Sequence, residues 1–72
     1  MSRNPYGGVT MLRLPLVRDR VSLGRSSIYA AIKKGTFPPP VRLSERAVAW
    51  VESEIEAWLA SRIEASRNGV SA

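Results

Sequence analysis

Arg25, Ser26, Ser27, Tyr29, Lys33 and Lys34 fall within one ten-residue stretch, RSSIYAAIKK, that contains no carboxylate. Guanidinium, ammonium and hydroxyl groups are the donors that meet phosphate oxygens and base edges. In a 3.6-residue period Ile28, Ala31 and Ile32 share one side, while Ser26, Ala30 and Lys33 lie opposite and Ser27, Tyr29 and Lys34 flank them. The outer side is small, hydroxylic and cationic, a composition suited to the major groove of DNA. A helix surface that is merely solvated usually mixes both signs, so the missing acids favour recognition of a polyanion. Arg42, Arg46 and Arg18 are further candidates for phosphate contact, and surface solvation explains Arg18 equally well.

Other chemistries are poorly supplied. The chain has 72 residues, no cysteine and no histidine. It therefore lacks disulfides, thiolate ligands, the commonest metal ligand and the commonest general base. Six carboxylates, two lysines and some hydroxyls in a domain too small for a deep pocket do not suggest catalysis. No enzyme activity, metal or cofactor is expected. No apolar run nears the roughly 18 residues of a membrane span, and MSRNPYGGVT lacks the apolar core of a signal peptide. A cytoplasmic protein with no membrane partner is the expectation.

The elements that must position these residues follow from punctuation and period. Residues 1–10, broken by Asn4-Pro5 and Gly7-Gly8, read as a flexible arm. Met11 to Leu14 forms a brief extended lead-in, with Leu12 and Leu14 inward around Arg13. A first helix is predicted over 15–21, with Pro15 in its first turn, Val17 and Val21 facing the core, Leu14 or Leu16 beside them, and Arg18 and Arg20 outward. Ser22-Leu23-Gly24 is a turn in which Gly24 supplies backbone freedom and Leu23 plugs the angle between helices. The second helix runs over 25–34 and closes on Gly35 in a left-handed cap. Phe37 anchors the stiff link through Pro38 to Pro40. Val41–Leu43 and Ala47–Trp50 form a hairpin, or wing, around Ser44-Glu45-Arg46, with Val41/Leu43 and Val48/Trp50 as its apolar faces. A last helix begins near 52–54, with Ser53 and Glu56 as a capping box. It carries the stripe Ile55, Trp58, Leu59, Ile63 and ends near Ala65. Trp50 and Trp58 should supply core bulk. Residues 66–72 read as a flexible tail, leaving 11–65 as the domain. The fold class is mainly α with a small β-hairpin, a winged helix-turn-helix of three helices plus wing.

Charge is partitioned along this plan. The net charge is +5, but residues 1–46 hold nine Arg/Lys against two acids, net +7, and residues 47–72 hold two Arg against four Glu, net −2. A basic half followed by an acidic helix is a polarised molecule whose basic side suits a polyanion.

The ordered set Arg25-Ser26-Ser27-Ile28-Tyr29, Gly35-Thr36-Phe37-Pro38, Arg46-Ala47-Val48-Ala49-Trp50 and Ser53-Glu54-Ile55-Glu56-Ala57-Trp58-Leu59 resembles the AlpA family of phage and prophage regulators over about residues 12–63. That family is similar in fold to excisionases and to the DNA-binding end of MerR-type regulators. The resemblance implies a winged helix-turn-helix with Arg25, Ser26, Ser27, Tyr29 and Lys33 on the reading helix and Arg46 in the wing. It implies a regulator of phage or integrative-element genes, or a recombination directionality factor that bends DNA beside an integrase. Three positions depart from the family pattern: Gly24 stands where Ser commonly caps, Ser22 where Gly commonly ends the first helix, and Leu16 where Glu is frequent.

The leading expectation is thus a sequence-specific double-stranded DNA-binding protein, self-associating or cooperative on DNA, with an integrase or RNA polymerase as a protein partner. A small protein-interaction module built on the proline run and last helix is the alternative. RNA binding shares the charge but lacks a platform of exposed aromatics.

Overall fold

The apolar positions at helical spacing segregate inward, and their burial defines the core. A computed structural model describes residues 8–68, so residues 1–7 of the expected arm and 69–72 of the expected tail lie outside it. The order is β1 (Met11–Leu12), α1 (Leu14–Val21), α2 (Arg25–Lys34), β2 (Val41–Arg42), β3 (Val48–Val51) and α3 (Glu52–Asn68). Leu12, Val17, Val21, Ile28, Phe37, Trp50 and Ile55 form the buried cluster, with Leu14, Leu23, Ala31, Ile32, Trp58 and Leu59 packed against it. Leu16 is 52% exposed, so Leu14 is the residue that supports α1. Ile63 is 49% exposed. The apolar stripe of α3 reaches past the small core, and the helix continues to Asn68, three residues beyond the expected end.

The strands form one antiparallel sheet in the order β1-β3-β2. Leu12 pairs with Trp50 and Met11 with Val51, so the lead-in strand is tied to the far side of the wing. Val41 pairs with Ala49 and Arg42 with Val48. This register corrects the expected wing. Paired residues share a face and successive residues alternate, so Val41 lies opposite in sense to Val48 and Trp50. Trp50 and Leu12 hold the core face, while Val41 and Leu43 stay exposed at 42% and 51%.

Two indole donors fasten the proline link. Trp50 Nε1 donates to the Pro38 carbonyl at 3.0 Å, and Trp58 Nε1 donates to the Thr36 carbonyl at 2.7 Å. Phe37, between these two anchor points, is buried and meets Trp58 edge to face at 4.8 Å between ring centres. Trp50 is fully buried, whereas Trp58 is only partly so. The proline run is therefore a strut of the fold.

Two sequence expectations about caps are corrected. The left-handed residue between α1 and α2 is Ser22, at φ 58°, while Gly24 is extended at φ −76° and ψ 168°. The Ser22 amide closes α1 by donating to the Arg18 carbonyl at 2.8 Å, and the left-handed conformation at Ser22 then turns the chain out of the helix. Ser53 is already inside α3, which starts at Glu52 directly after β3, so it does not cap the helix. The Glu52 amide donates instead to the Thr10 carbonyl at 2.8 Å.

A serine in the left-handed region carries backbone strain that glycine does not. Ser22→Gly is expected to raise unfolding free energy by about 1 kcal/mol in urea titration. Trp50→Phe removes buried volume and leaves the Pro38 carbonyl without its donor, and should lower stability by about 2–3 kcal/mol in the same titration.

Candidate nucleic-acid interface

Helix α2 presents its cations because its other side is taken by the core. Ile28 is fully buried and Ala31 and Ile32 are half-buried, which leaves Arg25, Ser26, Ser27, Tyr29, Ala30, Lys33 and Lys34 exposed. From Arg25 to Lys34 the helix advances about 14 Å. The Gly35 amide, at φ 82°, reaches the carbonyls of Ala31 and Ile32, so the helix ends beside its two lysines. The negative end of the helix dipole favours those charges.

Tyr29 has a defined place in this surface. Its ring meets Trp50 edge to face at 6.2 Å, and the Arg25 guanidinium lies 5.7 Å from its ring centre. One aromatic contact reaches the core and the other steadies a surface cation. Tyr29 is thus a support for Arg25 at the rim of the core.

The wing brings further cations alongside. Arg46 lies in the turn between β2 and β3, closed by the Leu43 amide donating to the Ala47 carbonyl at 2.7 Å. Arg42 is exposed on the edge strand β2, across from Val48. Arg25, Tyr29 and Arg46 line one open recess of about 500 Å³. Arg13, which the sequence marked only as an outward residue between two leucines, lines it as well. The signal for Arg13 was absent from local pattern, because the recess exists only once β1 pairs with β3. Arg18 is not brought into this group; it is exposed beside Asp19 in a separate recess with Ser22, Leu23 and Gly24.

Arg20 is removed from the candidate surface altogether. Its guanidinium bridges Glu52 at 2.9 Å and Glu56 at 2.6 Å. It is exposed, as expected, but opposite charges four residues apart on α3 draw it across to that helix. Among the described residues these are the ion pairs, and none involves the cations of α2 or the wing.

Helix α1, a three-residue turn, helix α2 and a following strand pair make this a winged helix-turn-helix protein. The chain belongs to the AlpA family: the family description "Prophage CP4-57 regulatory protein (AlpA)" matches residues 10–63. It is 48% identical over 61 residues to Uncharacterized protein ORF88 of Enterobacteria phage P4, covering 85% of this chain and 69% of that protein. It is 34% identical over 65 residues to the DNA-binding transcriptional activator AlpA of Escherichia coli K12, covering 82% of this chain and 93% of that one.

The N-terminus of α2 carries no side-chain cap, and a Cβ placed on Gly24 meets nothing within 4 Å. Gly24→Ser should therefore stabilise the chain by about 0.5 kcal/mol through a new cap, read as a raised urea midpoint with an unchanged slope.

Proposed function

We propose that this protein is a double-stranded DNA-binding regulator of phage or integrative-element genes, which lays the exposed side of α2 in the major groove and the β2–β3 wing on adjacent backbone or minor groove. The observation that carries the reading is the unpaired basic strip of α2 beside the wing arginines, set against an acidic α3 that neutralises Arg20. The name of the Escherichia coli relative agrees with it.

In this reading Arg25, Ser26 and Ser27 reach base edges from the first turn of α2, where small neighbours permit close approach. Tyr29 holds Arg25 in place. Lys33, Lys34, Arg42, Arg46 and Arg18 contact phosphates and carry the salt-dependent part of affinity. One copy buries little surface, so several copies bind adjacent or repeated sites cooperatively. Glu54 and Glu64 remain outside the Arg20 bridge and offer acidic contacts to a protein partner, RNA polymerase for activation or an integrase for excision. Activation and excision use the same DNA surface and differ in the bend imposed. The proline run, which would suit a protein-interaction module, has its first carbonyl, that of Pro38, taken by the Trp50 indole.

The test is a titration of duplexes from the flanks of its own gene and any attachment site, at two salt concentrations with nonspecific competitor, followed by a bending assay. Competitor-resistant binding at a promoter without a bend supports the regulator, and a marked bend at an attachment site supports the excision role. Binding that vanishes equally from every sequence as salt rises overturns the reading. Arg25→Ala is expected to cost about 1–3 kcal/mol at particular base pairs, whereas Arg42→Ala weakens all sequences evenly and lowers the salt slope by about one. Tyr29→Phe keeps the ring under Arg25 and should bind within about twofold of wild type, while Tyr29→Leu loses about 0.5–1 kcal/mol of that support.

A further inference from the structure

Three arginines from separate parts of the fold share one recess. Arg13 follows β1, Arg25 opens α2 and Arg46 sits in the wing turn, and the three line one recess with Tyr29. No carboxylate lines that recess, and among the described residues no ion pair reaches any of the three. Like charges gathered this way repel one another, and an anion placed among them relieves the repulsion. The first turn of α1 does not supply that anion's main partners. The amides of Leu16 and Val17 both donate to the Arg13 carbonyl, at 3.0 and 3.1 Å, and Pro15 has no N–H to offer. The guanidinium groups themselves are the donors.

We propose that Arg13 and Arg46 form a seat for one phosphate of the DNA backbone, with Arg25 beside it free to reach a base edge, and that Arg13 is a DNA-contacting residue whose role is to fix the register of α2 against the groove. This rests on the DNA-binding reading above and adds to it a residue and a named chemical group. The recess is assembled from three parts of the chain that are each pinned. Leu12, next to Arg13, pairs with the fully buried Trp50. Arg25 lies over Tyr29, whose ring abuts the same Trp50. Arg46 belongs to a turn closed by backbone hydrogen bonds. Arginine forks carried on anchored backbone lose less freedom on gripping phosphate than lysines on free loops would. A phosphate held there joins the lead-in strand to the wing beside the start of the reading helix, so sliding the helix along the groove breaks the contact.

The experiment uses the whole chain and a duplex carrying the site it selects in vitro. Each backbone linkage near the site is replaced singly by a neutral methylphosphonate, and binding is measured for wild type, Arg13→Gln and Arg13→Lys. One linkage is expected to cost wild type about tenfold and to cost Arg13→Gln severalfold less, because one of its partners is already gone. Arg13→Gln should also reduce the salt slope by about one with base preference unchanged. Arg13→Lys, which keeps the charge without the fork, should fall between. Melting at low salt checks folding: Arg13→Gln should melt at or above wild type, since one of three repelling charges is gone. A fall of more than about 5 °C would make Arg13 a structural residue and overturn the proposal. Arg13→Gln retaining the wild-type response at every linkage would overturn the seat and leave the DNA reading standing. A wild-type protein that selects no duplex overturns both.

Discussion

The indole of Trp50 is the constraint on which the arrangement depends. It is fully buried, pairs through its backbone with Leu12, donates to the Pro38 carbonyl and meets the edge of Tyr29. One residue thereby joins the lead-in strand, the proline link, the wing and the second helix. A domain of this length has few apolar groups to bury, so a single large side chain with a satisfied polar atom does the work of several smaller ones. Every cation of the candidate interface except Arg18 is carried by, or adjoins, an element that Trp50 touches or that its own strand pairs with.

Electrostatics divides the surface that this core leaves exposed. Glu52 and Glu56, near the start of α3, draw Arg20 away from the rest of the basic half. That bridge is solvent-exposed and contributes little to stability. Its consequence is chiefly spatial: it ties α1 to α3 on one side of the core, while on the other α2 carries no acid and the wing carries only Glu45, which among the described residues makes no ion pair. The recess around Arg13, Arg25 and Arg46 is the extreme of that division. Charges with no partner inside the molecule destabilise it slightly and are informative for that reason, since a folded chain retains them most readily where an outside partner answers them.

Backbone conformation sets the turn between the two helices in a way residue type alone misrepresents. Gly24 is the permissive residue, yet the left-handed position falls on Ser22, the residue that directly follows Val21 and ends α1. Gly24 is spent as an extended residue before α2, a place any L-amino acid can occupy. The strain at Ser22 and the bare cap at Gly24 lie side by side at the joint that orients the two helices.

The helices, their buried sides and the exposed cations of α2 were legible in the order of residues, because a 3.6-residue period and an αL glycine are local properties. The wing was legible as two short strands around Arg46. Its register was not. Val41/Leu43 and Val48/Trp50 each alternate correctly alone, and only the pairing of Val41 with Ala49 decides which pair faces the core. The pairing of β1 with β3, the transfer of Arg20 to α3, the place of Tyr29 between Trp50 and Arg25, and the gathering of Arg13 with Arg25 and Arg46 were likewise decided by tertiary structure. Each depends on groups separated along the chain, and no local pattern records a contact made only after the chain has closed on itself.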